Sequence, residues 1–440
     1  MSFTVIRVSL LGGALLWIAG CGGSSGGGSG SGGSGGGGNP TTVTFSFAGA
    51  PPSAVATKIG TGSFAASSIA SNTLTLSVPS GTTDFGVAYV CPPASVVVPL
   101  EITNQYVLES TISDGTQYSL GCPSSRSFPP LGTLSVSVDA TAIADTSSLD
   151  FIAYNGQLSN TGAFSGATIT NASLAAPVGS DQVDVLAYNS PNPNGLPFNE
   201  TLLAARSFSG QAVPGSLNGG ATLVLGAADQ AIPQPITYSN VPSGFAAPSS
   251  NAIFNPSGAE FPIVLANEAT SQYPSMPSGM VGNGGTYLIA ASTIPTAGAA
   301  GLGPVYAFAV LTSGAPVSFN FPAPWKYAGP TPAALPSMTM YYTGFTGTTG
   351  VSQVAWINWG ADIETQSQYQ IMATANYQNG STNLTFPDLS AASGFLAPPA
   401  SGTTVEWVAA ILESSSGDIP TLPASASGRE VANAGTYTVP

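Results

Sequence analysis

From Asn39 onward, apolar and polar residues alternate with period two, and Gly, Pro and Asn interrupt the alternation every few residues. Side chains on an extended strand point to opposite faces in turn, so this pattern buries one face and wets the other. A long helix would need apolar residues at i, i+3, i+4 and i+7, in a chain carrying 54 glycines and 37 prolines. The chain is therefore expected to be all-β. Strands are predicted at Val43–Phe47, Thr73–Val78, Phe85–Cys91, Tyr106–Ser110, Leu134–Val138, Leu149–Tyr154 and Val183–Tyr188 in the first half. Further on they are predicted at Tyr287–Ala291, Val305–Leu311, Val317–Phe321, Met338–Tyr342, Val354–Trp359, Tyr369–Ala375, Thr382–Phe386 and Val405–Leu412. Short strands with regular punctuation predict antiparallel, Ig-like β-sandwiches in tandem.

Laid together, the two halves of the body suggest an internal duplication with a period near 200 residues. Thr83–Ala88 matches Gly285–Ala290, Tyr106–Leu108 matches Tyr306–Phe308, and Phe151–Asn155 matches Val354–Asn358. Val183–Tyr188 is set against Tyr369–Thr374, and Pro242–Pro248 against Ala392–Pro398, with the change of spacing assigned to an insertion at Asn189–Gly220. The expected units are residues 40–246 and 247–440, each with room for two small sandwiches. The stretch Ala269–Trp325 carries no charge, but Pro295, Pro304 and several glycines oppose a membrane helix in Tyr287–Leu311. Two buried strands joined by the loop Thr293–Gly303 are expected instead.

Charge and histidine narrow the chemistry. Lys and Arg total 6 against 20 Asp and Glu, so no basic stripe exists to neutralise phosphates, and nucleic acid is excluded as a partner. There is no His, which removes Ser-His and Cys-His enzymes and the commonest transition-metal ligand. Val55 and Ala323 stand three residues before Lys58 and Lys326, so the S-x-x-K pattern fails as well. No D-x-D-x-D-G loop appears, and neither cofactor nor metal is expected. Paired carboxylates remain as the one enzymatic option: Asp181 with Asp184, Asp362 with Glu364, and Glu260 with Glu268.

The first twenty residues read as an address. Arg7 is followed by the apolar run Val8–Ala19, too short for a permanent membrane span. The junction Ile18-Ala19-Gly20-Cys21 resembles the lipobox of bacterial lipoproteins. That resemblance, confined to this segment, implies cleavage before Cys21, acylation of Cys21 and attachment to a membrane. Gly22 stands where the family commonly carries the aspartate of inner-membrane retention, which implies the outer membrane or the cell surface. Gly22–Gly38 contains only Gly and Ser, a flexible tether of roughly 20–25 Å r.m.s. span. Its two GxSxG matches lack the strand before and helix after that a nucleophile elbow requires.

With Cys21 given to lipid, Cys91 and Cys122 are expected to form a disulfide outside the cytoplasm. A redox dithiol would need a neighbouring cation, and the nearest in sequence is Arg126. The remaining tryptophans, Trp325, Trp356, Trp359 and Trp407, all lie in the last part of the chain. Trp356 and Trp359 should face opposite sides of one strand. Trp356, Trp359 and Trp407 are candidate stacking platforms for a glycan or an envelope protein, with Asn358 and Gln378 as hydrogen-bonding neighbours. The sequence thus points to a lipid-anchored envelope protein with a non-enzymatic body for binding, adhesion or envelope structure. The competing expectation is a carbohydrate-active enzyme using paired carboxylates.

Overall fold

A computed structural model describes residues 39–97, 100–122, 130–143, 149–154, 159–164, 167–179, 182–189, 201–257, 262–280, 285–297, 301–345, 350–360, 365–415 and 426–440. Residues 1–38, Cys21 among them, lie outside these. The described residues are nearly all β and form four sandwiches in succession.

The first contains β1 (Thr41–Gly49), β2 (Ala54–Ile59), β3 (Ala65–Ala66), β4 (Thr73–Val78), β5 (Asp84–Val90), β6 (Ala94–Val97), β7 (Leu100–Thr111) and β8 (Gln117–Cys122). β1 pairs antiparallel with β4 and parallel with β8. Behind this sheet stands β3-β2-β5-β7, with β6 folded back along β7. Alternation sets the facing surfaces: Val43, Phe45 and Phe47 of β1 and Leu74, Leu76 and Val78 of β4 turn inward against Phe85, Val87 and Tyr89 of β5.

The same pairing scheme recurs in the second and third sandwiches and, without the parallel strand, in the fourth. The second sandwich uses β9 (Leu131–Asp139), β10 (Leu149–Tyr154), β11 (Ser159–Phe164), β12 (Thr168–Pro177), β13 (Gln182–Asn189), β14 (Thr201–Ser209), β15 (Gly215–Ser216) and β16 (Leu223–Val224). β9 is antiparallel to β12 and parallel to β15 and β16, and the other sheet runs β11-β10-β13-β14. The third uses β17 (Ile232–Ser239), β18 (Ser249–Pro256), β19 (Ile263–Ala269), β20 (Gln272–Ser275), β21 (Gly285–Thr293), β22 (Val305–Leu311) and β23 (Val317–Asn320). β17 is antiparallel to β20 and parallel to β23, opposite β19-β18-β21-β22. The fourth contains β24 (Ser337–Thr339), β25 (Val351–Gly360), β26 (Thr365–Thr374), the single-turn helix α1 (Ala375–Gln378), β27 (Asn383–Thr385), β28 (Thr404–Ser414) and β29 (Ser427–Thr438). β24 pairs with β27, and the larger sheet runs β26-β25-β28-β29.

The four larger sheets join edge to edge. β7 pairs in parallel with β26, from Glu101↔Thr365 to Glu109↔Ala373. β29 pairs with β22, and β19 touches β14 at Thr201↔Ala266. One hydrogen-bonded ribbon therefore runs from the first sandwich through the fourth and third to the second. This explains the uncharged stretch around Tyr287–Leu311: β21 and β22 sit mid-ribbon, where both faces are covered and apolar residues are nearly continuous.

The recurrence corrects details of the internal comparison. β5 and β21, β7 and β22, and β10 and β25 occupy equivalent places, as aligned. Val183–Tyr188 lies in β13, whose counterpart by pairing is β28, whereas Tyr369–Thr374 lies in β26. The supposed insertion at Asn189–Gly220 contains β14, a regular member of its sheet. The third sandwich opens with β17, so residue 247 falls inside it, and main-chain pairing through β7–β26 and β14–β19 ties residues before that point to residues after it.

Cys91 and Cys122 form a disulfide with Cα atoms 5.2 Å apart, linking the end of β5 to the end of β8 across the first sandwich. Gly49 lies opposite Cys122 in the β1–β8 register at φ +81°, and a Cβ there would sit 2.6 Å from the Cys122 carbonyl oxygen. Glycine is required at that crossing.

Candidate functional site

Most of the residues singled out in the sequence are placed in the core. Trp356 and Trp407 are each 6% exposed and Trp325 is 4% exposed, so none of these rings offers a face to a ligand. Trp356 and Trp359 do lie on opposite faces of β25: Trp356 joins the core shared with the first sandwich's inner strands, and half-buried Trp359 packs on the larger core to which all four sandwiches contribute. Trp407 is enclosed by glycines, since a Cβ at Gly329 or Gly435 would approach its ring to 2.7 or 2.8 Å. Of the three candidate platforms only Trp359 is more than marginally exposed. Asn358 and Gln378 are half-buried, and Asn358 Oδ1 is buried without a hydrogen-bond partner among the described residues.

None of the carboxylate pairs lies wholly within the described residues. Asp181, Asp362, Glu364 and Glu260 lie outside them, and Glu268 is exposed at the end of β19. Asp184 is buried on β13, where its Oδ1 accepts hydrogen bonds from Ser207 Oγ at 2.6 Å and Gln182 Nε2 at 3.2 Å. Burial nevertheless holds its pKa above the ordinary carboxylate value. Among the described residues no three potential ligands cluster as a metal site.

The scarce cations are mostly spent on structure. Arg206 pairs with Asp229 at 3.5 Å. Lys58 of β2 crosses over Gly86 of β5 to reach Glu109 of β7, and its ammonium lies 4.9 Å from the Phe64 ring centre and 5.1 Å from that of Tyr377. Burial opposes the charged form of Lys58, but the Glu109 carboxylate and hydrogen bonding prevail and raise its pKa. This cluster fastens α1 of the fourth sandwich onto the first.

A groove of about 490 Å³ opens between the third and fourth sandwiches. Its walls are the turn after β17 (Asn240, Val241, Pro242), the segment leaving β23 (Asn320–Pro324), Gly344, and Arg429 of β29. Prolines stiffen both third-sandwich walls by fixing φ. Asn240 Nδ2 donates to Asn320 Oδ1 at 2.7 Å, which leaves the Asn240 oxygen and the Asn320 amide available to a ligand. Arg429 donates through Nε at 2.7 Å and through Nη2 to Glu413 Oε2, and its guanidinium carbon lies 5.3 Å from the Phe345 ring centre. Tyr342 stands edge-on to Phe345, donates its hydroxyl to the Ala323 carbonyl at 2.7 Å, and has its pKa pushed up to about 12, chiefly by burial. The groove thus offers an amide pair and the Arg429 guanidinium, already paired with Glu413 beside it, between stiff walls, and Arg429 is the sole ionisable residue lining it among the described residues. Sequence reading missed it because Asn240, Asn320 and Arg429 are far apart along the chain. The nearest available signal was the position of Arg429, one of very few cations, across a hairpin from Glu413.

No protein-family model matches the chain, and no curated protein matches it. Among solved structures it is similar to the Bacillus anthracis TIE protein at 13% identity and a TM-score of 0.15, over 64% of this chain and 50% of that one. The chain thus spans about half the length of that protein.

Proposed function

We propose that the protein is a bacterial lipoprotein, cut before Cys21 and anchored through it in the outer membrane or cell surface, whose body serves in binding, adhesion or envelope structure without catalysis. Acyl chains on Cys21 would hold the chain firmly, since two or more chains are needed for stable attachment. The Gly/Ser tether would let the four sandwiches stand off the lipid, and the shared ribbon would present them as one body.

The observation that carries the binding reading is the groove between the third and fourth sandwiches. Its polar groups are complementary pairs of donors and acceptors with little net charge, which suits a neutral, hydroxyl-rich ligand such as an envelope glycan. A carboxylate-based hydrolase would need two carboxyl groups flanking one bond. Glu413, the acid beside this groove, is held by Arg429.

Growth with a labelled fatty acid should mark the wild-type protein and leave Cys21→Ala unlabelled; label on the variant would overturn the anchor. Soluble protein from residue 39 onward should bind neutral cell-wall oligosaccharides and release no product from a fluorogenic glycoside panel. Turnover on that panel would restore the enzyme reading, and an absence of binding would remove the groove as a glycan site.

A further inference from the structure

The third and fourth sandwiches meet where β22 pairs with β29, from Val305↔Val431 to Ala309↔Ser427. In the middle of this seam Tyr306 stands directly opposite Glu430. Both side chains lie on the face of the ribbon away from the groove, because their strand neighbours Arg429 and Val431 point to the other face. Glu430 is 6% exposed and Tyr306 is 9% exposed.

Among the described residues the surroundings of Glu430 hold no cation. Directly across β28 it faces Leu412, with Ala410 and Ser414 at the diagonals, and across β22 it faces Tyr306, with Phe308 diagonal to it. Among the described residues its carboxyl makes no ion pair and no hydrogen bond. Tyr306 is the titratable group directly opposite it, and the nearest cation in sequence, Arg429, is bound to Glu413 on the opposite face. A buried carboxylate without a cation is costly, whereas a neutral carboxylic acid is tolerated.

We infer that the β22–β29 seam is a proton-held joint, closed while Glu430 is protonated and loosened when Glu430 gives up its proton to solvent. Opening would expose the carboxylate to water and separate the two strands that also carry the groove wall at Arg429. The joint does not depend on what that groove binds.

The direction of the pH response follows from the two states. Burial pushes the Glu430 pKa up to about 8 in the closed seam, from 4.5 in the open one. The closed seam therefore holds a proton that the open seam releases throughout that interval. Stabilisation is complete below the lower value, falls about tenfold in the closing equilibrium per pH unit between the two, and levels off above the upper one.

Hydrogen exchange, corrected for intrinsic rates, tests this on the soluble protein from residue 39 onward. Between pH 5.5 and 7.5, protection of the β22 and β29 amides in the seam should fall about a hundredfold, while the β10–β13 amides hold steady. Glu430→Gln should remove most of the pH dependence. Glu430→Met, which has similar bulk and no proton to lose, supplies the same test should the Gln variant not fold. Wild-type protection independent of pH, or a slope that survives in either variant, would overturn the inference. An equal fall at β10–β13 would also overturn it by showing a global change.

Discussion

Replacing Asp114 with alanine tests whether the parallel seam between the first and fourth sandwiches is a structural joint. Asp114 lies in the turn after β7. Its Oδ2 accepts from Thr111 N at 3.1 Å, Thr111 Oγ1 at 2.8 Å and Ser110 Oγ at 3.3 Å, and across the seam from Thr374 Oγ1 at 2.6 Å. Its Oδ1 accepts from Asn376 Nδ2 at 2.6 Å, also across the seam. Thr111 and Thr374 are 4% and 6% exposed, so water cannot readily replace the lost acceptor. Stranding a buried donor costs about 1–3 kcal/mol. Thr111 Oγ1 keeps a contact with Ser113 Oγ at 2.6 Å, which places its share at the low end. Half-buried Asn376 adds little, so Asp114→Ala should cost about 3 kcal/mol. Asp114→Asn retains one acceptor oxygen and should cost about half of that. Urea unfolding followed by tryptophan emission reads the fourth sandwich directly. A loss below about 1 kcal/mol, or equal losses in the two variants, would refute the claim that these bonds hold the seam.

Two further outcomes are expected. Cys91→Ala with Cys122→Ala should destabilise the first sandwich by about 3–4 kcal/mol, the chain-entropy value for a separation of 31 residues. Hydrogen exchange at β1 and β5 would show it, and unchanged protection there would count against the bridge as a constraint. In native protein, aqueous iodide should reach only the half-buried Trp359 ring and leave Trp325, Trp356 and Trp407 emitting. Quenching of all four at the rate of free indole would contradict their burial.

Legibility from sequence followed the range of the interaction. Thr73–Val78 was readable to the residue because inward and outward positions alternate within one short segment, and Val305–Leu311 because it is a short continuous apolar run bounded by Pro304 and Gly314. Strands that fit neither pattern were not. β29 carries Arg429 and Glu430 near its start, and β14 was read as part of an insertion because the spacing between matched segments changes there. Trp356 and Trp407 illustrate the limit for the candidate site. An aromatic residue on a strand has the same local pattern whether its face meets solvent, a neighbouring sandwich, or the space left by Gly329 and Gly435.

Period-two patterning and its frequent interruption by Gly, Pro and Asn determined by themselves that this chain would be all-β and built of sandwiches. The cysteine count was enough to pair Cys91 with Cys122 once Cys21 was set aside. Only the tertiary structure decided that β7 would meet β26, that Asn240 and Asn320 would share a groove with Arg429, and that Glu430 would face Tyr306 without a cation. Local alternation records which face of a strand is apolar. Which strand lies alongside it depends on backbone hydrogen bonds that any sequence can make, and on the fit of surfaces contributed by segments hundreds of residues apart.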